Sequence, residues 1–215
     1  MLTISCSLLE QVRNNYLPYV ELLSTGEKIS RGGTHGMFAY WQDVSKKIHQ
    51  NELNLSSGIK TLTSLYSNFD DNKRNRDKQN LLLDQLVKYH QCYEKQNFQF
   101  YDGRRRIRWP IIPEIHLSGL TPWVFESGEE YFAYYVIEKK YDWKKELRFP
   151  LLQKYMSEHN VKCNFRQLNM GVYFLDTGVF EFRKYSTKEI LSSVIETKQL
   201  FGKIYEEFRL KSVTK

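Results

Sequence analysis

Glu138 and Lys140 flank Lys139 at the end of an apolar run, Tyr134-Tyr135-Val136-Ile137. Side chains two apart on a strand share a face, so this order predicts an acid and an amine side by side. Metal-dependent phosphodiester cleavage uses such a pair. The acid holds a divalent cation, and the amine orients the attacking water or offsets the charge on the phosphorane. A second metal-binding acid is expected at the end of the preceding strand. No Asp stands there. The alternative for Glu138 and Lys140 is a solvated strand face, but the apolar run before them favours a buried strand with a functional end.

A second group is Arg104-Arg105-Arg106-Ile107-Arg108-Trp109. Four guanidiniums beside Tyr101 and Trp109 suit phosphate clamping and base stacking. Lys144, Lys145 and Arg148 on a following helix would extend that surface. The competing explanation is an edge strand that carries charge to block unwanted pairing. Glu196-Thr197-Lys198 repeats the acid-x-Lys order, but on a helix, where positions two apart do not face each other. No phosphate-binding Gly-x-x-x-x-Gly-Lys, dinucleotide Gly-x-Gly-x-x-Gly or Gly-x-Ser-x-Gly elbow occurs.

The elements that must position these groups come from a 215-residue chain, enough for one domain or a core with a helical elaboration. With 41% hydrophobic and 15% aromatic residues, it can bury a core and is not expected to be disordered. Its formal charge of +7 suits nucleic acid or a membrane surface, and suits plain solubility equally well. Cys6, Cys92 and Cys163 lack paired metal spacing, so a zinc ribbon or iron–sulfur cluster is not expected. Three unpaired thiols point to a reducing, cytoplasmic setting. No signal peptide or membrane span is expected.

Helical spacing predicts a first helix over 5–23, broken or kinked at Pro18, with Ser5 or Ser7 as its cap. Gly26 and Gly32-Gly33 mark a loop before a second helix over 34–48. Two more follow over 59–69 and 81–98, and the charged run 70–78 reads as a solvated loop or helix end. From residue 104 the pattern turns to strands over 104–112, 114–125 and 130–138, then a helix over 144–158. Val172–Leu175 and Val179–Phe182 around Asp176-Thr177-Gly178 predict a hairpin. Ser186-Thr187-Lys188-Glu189 is a capping box for a last helix reaching about Leu210. The expected fold is α+β: a helical region over 1–103 and an α/β core over 104–215, forming one compact domain, with residues 110–182 in one sheet.

This order resembles the RecB-type branch of the PD-(D/E)XK nuclease superfamily, on the strength of Ser5-Cys6-Ser7-Leu8, Gly32-Gly33-Thr34-His35, Gly119-Leu120-Thr121-Pro122, Glu138-Lys139-Lys140, and Gln153 with Tyr155. The resemblance implies a mixed sheet flanked by helices and a site built from Glu138, Lys140, Gln153 and Tyr155. It implies metal ligation by His35 and Glu138, and Glu114, Glu126, Asp142 and Glu146 are the acids open to replace the missing one, with Glu114 taken as the candidate. Pro122 occupies the position of the metal-binding Asp, and the Gln153–Tyr155 spacing is tighter than the family's. The resulting expectation is a DNA-binding subunit with an incomplete metal site, binding magnesium or manganese weakly or not at all, within a repair or anti-phage assembly. It needs other protein subunits, no membrane and no small-molecule cofactor. The alternatives are an active nuclease with a relocated acid and a protein–protein interaction module.

Overall fold

The computed structural model describes residues 2–25 and 36–213. Strand β1 (Leu2–Ser5) leads into helices α1 (Leu9–Asn14), α2 (Leu17–Thr25), α3 (Met37–His49), α4 (Leu55–Tyr66) and α5 (Lys73–Glu94). Strands β2 (Gln99–Asp102), β3 (Arg106–Ile112), β4 (Ile115–Leu120), β5 (Trp123–Ser127) and β6 (Glu130–Ile137) follow. A 3-10 turn at Trp143–Lys145 enters α6 (Arg148–His159). Another at Phe165–Gln167 precedes β7 (Leu168–Phe174), β8 (Val179–Arg183) and α7 (Thr187–Val213). The fold is α+β, with N-terminal helices ahead of mixed sheets.

The strands form two sheets where the sequence suggests one. The smaller has the order β1-β4-β3, with β1 parallel to β4 and β3 antiparallel to it. The larger has the order β2-β5-β6-β7-β8. In it, α6 carries the chain from β6 to the parallel strand β7, and the β7–β8 hairpin closes one edge. The division falls at Thr121-Pro122. The Thr121 N–H is spent on the Arg105 carbonyl at 2.8 Å, and proline has no N–H with which to continue the ladder. Gly119 sits just before the break at φ +152°, a backbone conformation that side-chain-bearing residues rarely adopt.

Two apolar layers enclose the larger sheet. Tyr134 and Val136 of β6 face α3–α5, where Trp41, Tyr66 and Tyr89 are buried. Ala133, Tyr135 and Ile137 face the other way, toward Phe149, Met156, Phe201 and the inner face of the smaller sheet. That inner face carries Ile4, Ile107, Ile115 and Leu117. Because β1 pairs with β4, the N-terminal region contributes to this layer as well as to the helical one.

Other local expectations shift. The helix expected over 5–23 is a strand followed by two helices, and Leu8, not a serine side chain, precedes α1. The charged run divides: Asn72 caps α5, whose first turns hold Lys73–Lys78. The Ser186 box forms as expected, with Glu189 N–H donating to Ser186 Oγ at 3.3 Å and Ser186 N–H to Glu189 Oε2 at 2.8 Å. The loop glycines at 26, 32 and 33, with Thr34 and His35, lie outside the described residues.

Candidate nucleic-acid interface

The Glu138–Lys140 pair separates. β6 ends at Ile137, so period-two alternation no longer relates the two side chains. Glu138 stays on the α5 side, 3.8 Å from Lys78 Nζ and about half exposed. Lys140 crosses to the other side, where its Nζ lies 2.8 Å from Glu181 Oε1. Lys144 Nζ, at 3.0 Å, and Trp143 Nε1, at 3.2 Å, meet the same carboxylate. Hydrogen bonds from Lys140 and then Lys144 hold the Glu181 carboxyl down at about 2. Glu181 therefore clamps the β6–α6 connection onto the edge strand β8. Sequence reading passed over it as one more residue of the hairpin.

The other expected site residues do not gather around Glu138. Gln153 is fully buried and braces the chain ahead of α7. Its Nε2 donates to the carbonyls of Phe165 and Tyr185 at 2.9 and 3.2 Å, and its Oε1 accepts the Tyr185 N–H at 2.9 Å. Tyr155 packs against Trp109 and His159 at 5.7 and 4.7 Å between ring centres. Glu114 lies in the β3–β4 turn, five residues or about 17 Å along the chain from Gly119. His35 falls outside the described residues.

Pro122 borders a cleft of only about 10 Å³, lined with Gln42, Arg104, Trp123, Tyr134, Tyr135 and Val136. None of these is a carboxylate, and a divalent magnesium ion needs several hard oxygen ligands. Among the described residues no three His, Cys, Asp or Glu side chains converge as a metal site. Among the described residues, the groups beside Pro122 therefore do not supply the oxygen ligands of the cation that the resemblance implies.

The basic cluster sorts by strand alternation. Ile107, Trp109 and Ile111 of β3 turn to the core, and Arg106, Arg108 and Pro110 turn outward. Across the ladder, Arg106 neighbours Leu120 and Arg108 neighbours Ser118. Both arginines are exposed, and among the described residues neither has a carboxylate partner. Arg105 reaches Asp102 at 2.7 Å, and Arg104 donates to Gln42 at 2.9 Å. Lys46 of α3, which the sequence did not single out, adds a cation here: a Cβ built on Gly103 would sit 3.3 Å from its Nζ. Lys46 and Arg104–Arg108 thus form one basic strip across the end of α3 and the outer face of the smaller sheet.

Four expected contributors lie elsewhere. Trp109 is turned inward against Tyr155, because it alternates with the outward arginines. Arg148 is largely enclosed, 2.5 Å from Glu146 and hydrogen-bonded to the Tyr141 hydroxyl, with Tyr135 and Phe149 rings 5.4 and 4.9 Å away. It braces the fold and, at 18% exposure, adds little to a basic surface. Lys144 is engaged by Glu181, and Lys145 projects into solvent beside Asp142 at 3.0 Å.

No helix among the described residues is long and apolar enough to cross a membrane. No protein-family model matches the chain, and no curated protein matches it at a significant level.

Proposed function

We propose that this chain is a DNA-binding component that holds the phosphate backbone on the outer face of its smaller sheet and leaves it uncut. One observation carries the reading: Arg106 and Arg108 project from an open face with no carboxylate among the described residues to neutralise them. Guanidiniums without internal partners are available for phosphate oxygens, and Lys46, Arg104 and Arg105 lengthen the strip. The order from β6 through α6 to the closing hairpin and α7 is the one the RecB-type resemblance implies, but the strand that ends in Leu120 lies in the smaller sheet and Glu138 and Lys140 diverge, so the resemblance adds no support from the fold. The carboxylate-free cleft beside Pro122 supports loss of the cation site. A place within a DNA repair or anti-phage assembly follows from the resemblance alone.

The test is binding of a labelled duplex, followed by fluorescence anisotropy. Arg106→Glu/Arg108→Glu is compared with Lys198→Glu/Lys203→Glu, which makes the same change in net charge on exposed positions of α7. The proposal expects the first variant to lose affinity by at least about tenfold relative to the second. Equal losses would reduce the effect to net charge and remove the interface.

A further inference from the structure

Helix α7 carries a second surface, on the side turned away from the fold. Its inner face seats Ile190, Phe201 and Ile204, all buried. Its outer face exposes Leu191 at 53% and Ile195 at 56%, four positions apart and therefore neighbours on successive turns. Leu191 also lines an open hollow of about 250 Å³ between α7 and the end of α6, which the half-buried Phe165 borders as well. The exposed apolar surface thus runs from Ile195 through Leu191 into the hollow.

Charge brackets that strip. Lys188 stands one turn before Leu191 and Lys198 one turn after Ile195, and both are exposed. At about 3.6 residues per turn, positions 188, 191, 195 and 198 fall within about 80° of the helix surface, with about 15 Å between the two lysines. Neither lysine has a carboxylate partner among the described residues; the neighbouring Glu189 and Glu196 are held by Arg183 and Arg13. The charges at the hollow, Lys154 and Glu158, neutralise each other. The spacing also decides what can cover the strip. It is symmetric about Ser193, so a second α7 packed antiparallel over Leu191 and Ile195 would set each Lys188 against the partner's Lys198. A parallel copy would set each lysine against its own counterpart. Both arrangements bring like charges together, which disfavours a second copy.

We infer that the outer face of α7 docks an acidic amphipathic helix of another protein, with carboxylates opposite Lys188 and Lys198 and apolar side chains against Leu191, Ile195 and the hollow. The partner is specified by its chemistry: an apolar stripe on one helical face, flanked by Asp or Glu about ten residues apart. This surface does not depend on the DNA-binding reading, and it uses none of the arginines of the smaller sheet.

Fluorescence anisotropy of a labelled synthetic helix tests it. The probe is about 18 residues long, enough to hold helical structure alone, with a leucine stripe between glutamates at its two ends; its twin has lysines in place of the glutamates. The full chain should bind the acidic probe saturably and at least about tenfold more tightly than the basic one. Leu191→Ala/Ile195→Ala and Lys188→Glu/Lys198→Glu change exposed positions, so both should keep the thermal melt. Each should weaken the acidic probe about tenfold or more, and the charge-reversed variant should prefer the basic twin. Arg106→Ala/Arg108→Ala should leave the affinity as it was. Absence of saturable binding, equal affinity for the two probes, no recovery with swapped charges, or a loss that follows the arginines would each overturn the assignment. Sedimentation showing self-association that Leu191→Ala/Ile195→Ala abolishes would assign the face to a second copy instead. Binding to phosphatidylserine vesicles that either α7 variant loses would assign it to a membrane surface.

Discussion

Replacing Arg106 and Arg108 by Ala should change how DNA affinity depends on salt, by an amount that follows from their surroundings. Each cation that neutralises one phosphate of a duplex contributes about 0.9 to the slope of log affinity against log salt. Neither arginine has a carboxylate partner to leave among the described residues, so the pair should contribute about 1.8. Between 50 and 200 mM salt, wild-type affinity should therefore fall about twelvefold more than that of the variant. Arg105 must give up Asp102 and Arg104 must give up Gln42, so extending the change to all four sets an upper limit of about 3.6. The assay is anisotropy of a labelled duplex at four or five salt concentrations, with a thermal melt to verify folding. An unchanged slope with a folded variant would refute the phosphate role and leave protection of the exposed β3 edge as the explanation for the arginines.

Three further outcomes test the framework behind that surface. Gly171→Ala in β7 would place a Cβ 2.4 Å from a Phe182 ring carbon and 2.5 Å from the Glu181 carbonyl oxygen, so urea denaturation should show a loss of about 3 kcal/mol or more; a loss under about 1 kcal/mol would mean that β8 yields easily. Glu181 is held at about 2 against an ordinary 4.5, so its clamp stabilises the fold above the ordinary value and is lost as pH falls from about 4.5 toward 2; a pH series should show about 1–2 kcal/mol of this disappearing, after allowance for solvent screening, and Glu181→Gln should flatten the series. Burial raises the Cys6 thiol to about 12, so iodoacetamide at pH 8 should modify Cys6 only after denaturation; rapid labelling of the folded protein would contradict its burial.

Features set by local chemistry were legible in the sequence, and those set by distant pairing were not. Asp176-Thr177-Gly178 between two apolar runs determines its hairpin locally, and the Ser186–Glu189 box determines a helix start in four residues. β1 is only four residues long and gains its partner from β4, more than a hundred residues away, so its spacing merged with that of the following helix. The division into two sheets depends on which strand β5 pairs with, and an apolar run does not carry that information. At the candidate interface, alternation along 106–109 sets Arg106 and Arg108 opposite Ile107 and Trp109, which removes Trp109 from the base-stacking role expected for it beside the arginines. The separation of Glu138 from Lys140 turns on where β6 stops, at Ile137, before either member of the expected pair. Glu181 gave no signal, because its lysines lie about forty residues upstream. Lys46 gave none either, because it approaches the arginines only through the packing of α3 beside Gly103.

Binding without cutting is the central claim, and one assay addresses it directly. Labelled single- and double-stranded DNA is incubated with wild type, Glu138→Ala and Lys140→Ala, each with magnesium and with manganese, while retention of the DNA is measured in parallel. With no carboxylate beside Pro122, and with Glu138 and Lys140 engaged on opposite sides of the sheet, DNA should be retained by all three proteins and left intact, with at most traces of cleavage in manganese. Robust cleavage by the wild type, abolished by both substitutions, would contradict the account and establish an active cation site completed by another acid.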